Sequence, residues 1–209
     1  MNLLNYIWQF EGVLCKETCD RIIEAGLSAK REKSLVGEMD LRKKPLTQKE
    51  KKFLLKKRVG EVAWLNLPWI YELIHPYIHL ANHNAGWNFD WSWTEDIQFT
   101  IYKPGEFYGW HTDSSERPGD DPHDKFRYGK IRKISSVIQL SEPDTYEGGL
   151  LQLDPRQQNP GIQKRRLITA SLKRGTIIFF PSFIWHCATP VTKGIRYSVP
   201  MWSWGAPYK

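Results

Sequence analysis

The stretch Ile97-Gln-Phe-Thr-Ile-Tyr-Lys-Pro-Gly-Glu-Phe-Tyr-Gly-Trp-His-Thr-Asp113 decides the fold. Its first six residues alternate apolar and polar side chains, as a half-buried strand does. A Lys-Pro-Gly turn follows, and Phe107 to Asp113 resumes an extended path. In extended backbone, residues i and i+2 share a face, so His111 and Asp113 aim at one point. Working outward, strands are predicted at Lys133 to Leu140, Gly149 to Leu153, Arg166 to Leu172, Thr176 to Phe180 and Gly194 to Trp202. Turn signals such as Glu-Gly-Gly, Lys-Arg-Gly and Thr-Lys-Gly separate them. Short strands at this spacing predict a sandwich or jelly roll rather than a parallel sheet.

Toward the N-terminus the pattern changes to a helical one. Lys16 to Leu27 places Cys19, Ile22, Ile23 and Leu27 on one stripe, with Gly26 positioned to stop the helix. A second helix is predicted from Pro68 to about Asn82, with Ile70, Leu73, Ile74, Tyr77 and Ile78 inward. Pro68 suits a first turn and Pro76 is expected to bend the helix. Between the two lies a charged stretch, Lys30 to Arg58, holding twelve Lys/Arg against four Asp/Glu. The fold class is therefore α+β, mainly β: a jelly-roll (double-stranded β-helix) core with N-terminal flanking helices. One domain, 1–209, is expected, with a helical and basic part at 1–95 and the core at 96–204.

Composition removes several classes. With 41% hydrophobic and 13% aromatic residues, the chain can build a real core and is not a disordered tail. No apolar run approaches the ~20 residues of a membrane helix. Met1 to Glu11 has no basic n-region, so no signal peptide is expected and the location reads as cytoplasmic. Cys15, Cys19 and Cys187 form no Cys-x-x-Cys, which favours reduced thiols over a disulfide. The net charge is +7, yet Lys30 to Arg58 alone carries +8 and leaves −1 for the remainder. The charge thus marks one local basic patch, read as a solvated and mobile stretch ahead of a surface for an acidic partner or substrate segment, rather than a general nucleic-acid surface.

Six histidines need weighing. His75, His79 and His83 recur every fourth residue on the second helix, but no glutamate follows the first, so they read as a packing or solvated face. His123 lies in the polar loop Asp120-Asp-Pro-His-Asp124 and reads as exposed. His111 and Asp113 are two-thirds of the facial triad that holds non-haem Fe(II) with positions left open. His186 follows a strand and a Pro-Ser turn, where a jelly roll can return it to the same open end. Ten residues on, Arg196 and Ser198 share a strand face and offer a fork and a hydroxyl to a carboxylate. A buried arginine without an anion is costly, so this pair implies an acidic ligand near the metal.

These residues together resemble the iron- and 2-oxoglutarate-dependent oxygenases, in particular the prolyl 4-hydroxylase-like branch and its bacterial and phage relatives, the PKHD-type hydroxylases. The resemblance rests on Tyr102-x-x-Gly105-x-x-Tyr108-x-x-His111-x-Asp113, on Leu140 to Leu150 and on Pro181 to Arg196, and covers roughly residues 96 to 202. It implies that His111, Asp113 and His186 ligate Fe(2+). It further implies that Arg196, with Tyr102 and Ser198, binds the distal carboxylate of 2-oxoglutarate. Tyr108 and Trp202 fall where related enzymes line the catalytic site near the target side chain. Gln139 stands where some relatives place a cosubstrate-binding Tyr, a departure from the pattern. The implied cosubstrates are 2-oxoglutarate and O2, with L-ascorbate as a rescuing reductant. The implied reaction is hydroxylation of a C–H bond with release of succinate and CO2.

The implied substrate is a prolyl or other residue of a peptide or protein, although relatives also act on amino acids and small molecules. Two other readings compete. A nucleobase demethylase of the same superfamily fits the basic stretch, but that branch carries a second arginine six residues after the first, where this chain has Trp202. A non-catalytic jelly-roll binding module would not need an intact His-x-Asp, distal His and Arg. The loop Ser114 to Lys130 reads equally as a lid or as an ordinary solvated loop.

Overall fold

The computed structural model describes residues 3–34, 53–114, 117–155 and 167–208. Most of the basic stretch and part of the expected strand at Arg166 to Leu172 therefore lie outside the described residues. The chain is built on antiparallel strands. The larger sheet runs β1 (Trp8–Phe10), β12 (Ile177–Pro181), β8 (Ile131–Gln139), β15 (Arg196–Gly205), β6 (Ile97–Tyr102), β4 (Glu61–Leu65) and β2 (Arg31–Lys33), with β5 (Trp93–Thr94) also paired to β15. Facing it, the smaller sheet runs β11 (Ile168–Thr169), β10 (Leu151–Asp154), β13 (Trp185–Ala188), β7 (Phe107–His111) and β3 (Arg58–Val59). A two-stranded ribbon pairs β14 (Val191–Gly194) with β9 (Tyr146–Gly148). The architecture is the expected mainly-β jelly roll with flanking helices.

Two helices cover the outer face of the larger sheet. Helix α1 spans Lys16–Ser28 and α2 spans Pro68–Asn84, running through Pro76. Strand alternation explains how one sheet serves two interiors. From β6, Ile97, Phe99 and Ile101 pack toward the helices against Ile22, Ile70, Ile74 and Ile78. From β8 and β15, Ile134, Ile138, Val199 and Met201 do the same. Each such fully buried side chain contributes roughly 1.5–3 kcal/mol. The opposite faces of these strands look between the sheets, where Val137, Leu151, Leu153, Ile178 and Phe180 form a smaller apolar cluster.

Several expectations need correction. Ile97–Tyr102 is buried on both faces, not half-buried, because its polar residues line an internal cavity rather than solvent. The first 95 residues are not helical throughout: they also supply β1 to β5, strands of two to five residues too short or too charged for a periodicity to register. The predicted strand Gly194 to Trp202 divides at Ile195 into β14 and the longer β15.

On α1, Leu27 is exposed while Gly26 faces inward. Gly26 is not a stop signal but a close-contact residue, since a Cβ there would lie 2.2 Å from the Phe99 ring. The three cysteines are free, and burial pushes the Cys187 thiol up to about 11. Among the described residues no helix is long and apolar enough to cross a membrane.

Gly26→Ala should therefore force the helix off Phe99. An overpacked core of this kind loses roughly 1–3 kcal/mol, to be read as a lowered urea midpoint, and an unchanged midpoint would contradict this packing.

Candidate active site

The site begins with a register. In the antiparallel pair β7·β13, His111 lies opposite His186, and the next matched pair is Tyr108 with Ala188. Two residues of β7, Gly109 and Trp110, thus face one of β13, Cys187. That is a β-bulge. In a regular strand, residues three apart point to opposite faces. The bulge lets Tyr108 and His111 both line the cavity, and their rings stack with centroids 3.5 Å apart at 12°.

Both histidines are oriented by their own strands. The His111 Nδ1 donates to the Gly109 carbonyl at 2.8 Å, and the His186 Nδ1 donates to the Ile184 carbonyl at 2.9 Å. A carbonyl only accepts, so each Nδ1 carries a proton and each Nε2 is the atom turned toward Asp113. The His111 Nε2 lies 3.5 Å from Asp113 Oδ1, and the His186 Nε2 lies 3.3 Å from Asp113 Oδ2. One donor atom from each of the three lies within 4.8 Å of the others.

Asp113 is fixed in turn. Its N–H donates to the Ser182 carbonyl at 2.9 Å, and the Ser135 hydroxyl donates to Oδ2 at 2.7 Å. Burial alone would raise the Asp113 pKa, but the imidazoles of His186 and His111 outweigh it and hold the carboxyl well below its ordinary range. Burial, followed by the neighbouring His186, lowers the pKa of His111. A carboxylate and two imidazoles whose Nε2 atoms converge on it from one side fit a divalent first-row metal with open positions.

A cavity of about 490 Å³, open mouth included, extends from these groups between the sheets. Its wall on the larger sheet is the polar side of the alternation: Gln98, Thr100 and Tyr102 from β6, and Arg196, Ser198 and Trp202 from β15. Arg196 is 2% exposed. It donates through Nη1 to the Ser198 hydroxyl at 3.1 Å and through Nη2 to the Gln139 carbonyl oxygen at 2.8 Å, while Nε has no partner. Burial lowers its pKa, and no carboxylate among the described residues pairs with it. A buried cation held only by neutral groups is suited to an anionic ligand. Gly149, at φ +60°, leaves the space it needs: a Cβ there would lie 2.8 Å from Arg196 Cδ.

The sequence profile of the 2OG-Fe(II) oxygenase superfamily matches residues 97–204, just over half of the chain. The chain belongs to the 2OG-Fe(II) oxygenase superfamily. Among similar members are a PKHD-type hydroxylase of Shewanella sp. (strain MR-7), 36% identical over 105 residues covering 50% of this chain and 40% of that protein. A PKHD-type hydroxylase of Pseudoalteromonas atlantica is 34% identical over 105 residues, covering 50% of this chain and 41% of its own. The chain thus matches only about two-fifths of the length of these relatives.

Solved oxygenase structures share the fold across nearly all of the chain. A viral collagen prolyl hydroxylase from Paramecium bursaria Chlorella virus-1, a 2-oxoglutarate complex, covers 97% of this chain and 98% of its own at TM-score 0.64 and 20% identity. A prolyl-4-hydroxylase of Pseudomonas putida covers 96% and 92% at TM-score 0.58 and 18% identity.

The oxygenase fold brings His111, Asp113, His186, Tyr102, Arg196, Ser198, Tyr108 and Trp202 to one cavity. Burial raises the Tyr108 phenol, which stays protonated and able to donate. Arg132 lies 4.1 Å over the Trp202 ring and pairs with the buried Glu95 carboxylate. Glu95 also accepts from Arg127 at 3.1 Å, so Arg127 is held beside the Arg132 that covers Trp202. Trp202 lines the cavity, whereas Trp110 and Trp185, each next to a histidine of the site in sequence, do not: Trp110 is exposed and Trp185 is outside the lining.

His75 and His79 are not gathered into a metal group; they pack against Trp91. Burial, with His79 nearby, lowers the His75 pKa.

Four residues went unassigned in the sequence. Gln98 and Thr100 lie on the polar face of a strand whose alternation signalled them. Ser135 had no signal beyond its strand. Arg58, expected on a solvated basic face, is instead buried in the cavity wall, because two-residue β3 pairs with β7.

Gln139→Ala removes a charged hydrogen bond that orients Arg196. Such bonds are worth roughly 1.5–3 kcal/mol, so 2-oxoglutarate affinity should fall about tenfold or more in a direct titration. Unchanged affinity would show that Gln139 does not orient the arginine or that Arg196 does not hold this ligand.

Proposed function

We propose that this protein is an Fe(II)- and 2-oxoglutarate-dependent dioxygenase that hydroxylates a C–H bond of a prolyl or other amino-acid residue. In this reaction 2-oxoglutarate and O2 are consumed; one oxygen atom enters the substrate as hydroxyl, the other enters succinate, and CO2 leaves. The observation that carries the reading is the pairing of two features in one cavity. Three open-sided metal donors, His111, Asp113 and His186, share it with Arg196, a buried guanidinium that has no carboxylate partner.

Each residue then has a task. His111, Asp113 and His186 hold the metal from one side, with both Nδ1–H groups and the Ser135 bond keeping their orientation. Arg196, set by Ser198 and Gln139 and flanked by Tyr102, receives the distal carboxylate of 2-oxoglutarate. When bound, the iron supplies the oxidative chemistry that no side chain here can perform. Tyr108 and Trp202 flank the place of the reacting carbon, and the apolar walls at Val137 and Leu151 exclude water. Ascorbate serves as a reductant that restores iron oxidised in unproductive cycles.

A peptide or amino-acid substrate is supported by the kinds of relatives around the chain. Several are PKHD-type hydroxylases. One structural neighbour, from Trichoplax adhaerens (15% identity, TM-score 0.64, covering 96% of this chain and 84% of its own), is a prolyl hydroxylase in complex with a hypoxia inducible factor peptide fragment.

Mixing the protein anaerobically with Fe(II) and 2-oxoglutarate should produce a weak visible charge-transfer band that is missing in His111→Ala. In air, succinate should accumulate together with a product heavier by one oxygen atom in mass spectra of peptide and amino-acid pools. No band from folded wild-type protein would sink the oxygenase reading.

A further inference from the structure

Arg58 is a second buried guanidinium in the same cavity, and the proposed reaction leaves it without a task. It is 7% exposed and sits on β3 directly opposite Tyr108. Its guanidinium carbon lies 4.5 Å over the Tyr108 ring, which in turn stacks on the His111 imidazole. Guanidinium, phenol and imidazole thus form a continuous stack from the edge of the smaller sheet to the candidate metal ligands. Among the described residues no carboxylate pairs with Arg58, and its Nε has no hydrogen-bond partner.

A face-on aromatic contact compensates only part of the desolvation of a buried cation. An anion that enters the cavity would supply the remaining compensation. Arg196 is on the larger sheet and Arg58 on the smaller, so they occupy opposing walls, and both line the space beside His111 and Asp113. On the oxygenase reading, which this inference rests on, Arg196 is taken by 2-oxoglutarate. The anion left for Arg58 is the substrate's own.

We propose that Arg58 binds a carboxylate of the substrate, so that the site accepts an amino acid with a free α-carboxylate. That carboxylate comes either from the free amino acid or from the last residue of a peptide. The planar guanidinium suits a carboxylate through paired N–H donors, whereas an internal residue offers only a neutral amide. An amide in that place leaves the buried cation unneutralised, which is the kind of mismatch that discriminates strongly.

The test uses protein loaded anaerobically with Fe(II) and saturating 2-oxoglutarate, which fills Arg196. It is titrated with matched acid and amide pairs: L-proline with L-prolinamide, and N-acetyl-L-proline with its amide. Perturbation of the visible band reports binding without turnover. The acid of at least one pair should bind roughly ten- to a hundredfold more tightly than its amide.

In Arg58→Gln that ratio should fall to about one, and Arg58→Lys should retain part of it. A purely structural role for Arg58 would weaken acid and amide alike and leave the ratio standing. Tighter binding of proline identifies a free amino acid as the substrate, and tighter binding of N-acetylproline a peptide C-terminus. Equal affinities in wild type, no binding by any acid, or a ratio unchanged in Arg58→Gln overturns the proposal while the oxygenase reading stands. Failure of the band to form overturns the oxygenase reading and this proposal with it.

Discussion

The register between β7 and β13 governs the site. With His186 opposite His111, the two imidazoles approach from neighbouring strands rather than from a flexible loop. Asp113 follows two residues later, tied to the Ser182 carbonyl at the end of β12. The bulge at Gly109–Trp110 then turns Tyr108 to the same side. Gly109 also contributes its carbonyl to His111, and its N–H bonds to the Lys57 carbonyl, which docks β3 and Arg58 alongside. A one-residue slip in this pairing would rotate every one of these groups away from the cavity.

Stability and chemistry occupy opposite faces of the same strands. The large apolar side chains of β6, β8 and β15 pack under the helices, where fit is close enough that Gly26 is required over Phe99. Their other face carries Gln98, Thr100, Gln139, Arg196 and Ser198, groups that would weaken an ordinary core. The polar face is tolerated because its members bond to each other and line a space meant for polar ligands. The inter-sheet apolar cluster is correspondingly small.

The sequence was most readable where spacing and chemistry coincide. His111-x-Asp113, the distant His186 and Arg196 with Ser198 were identifiable because each needs a fixed place in a strand or a turn. The larger strands were visible through alternation, although Ile97–Tyr102 looked half-exposed, since a polar cavity face and a solvent face carry the same residues. Arg58 was hidden by its neighbours. A two-residue strand in a lysine-rich stretch has no periodicity of its own, and only pairing with β7 buries it. Gln139 stood out only as a departure, and its bond to Arg196 depends on a cross-strand distance that spacing does not encode. The bulge was equally invisible, because Gly109 reads locally as an ordinary strand glycine.

Among the described residues β15 follows every other strand and yet takes a central place in the larger sheet, paired with β5, β6 and β8. During synthesis, the groups at positions 111, 113 and 186 leave the ribosome before Arg196 and Trp202 do. A nascent chain therefore lacks the Arg196 guanidinium and has an open gap in its larger sheet until these residues emerge. Native pairing across such sequence distances is slow to form. Interrupted translation would leave unpaired strand edges around exposed candidate metal ligands, a species prone to aggregate and open to adventitious metal capture.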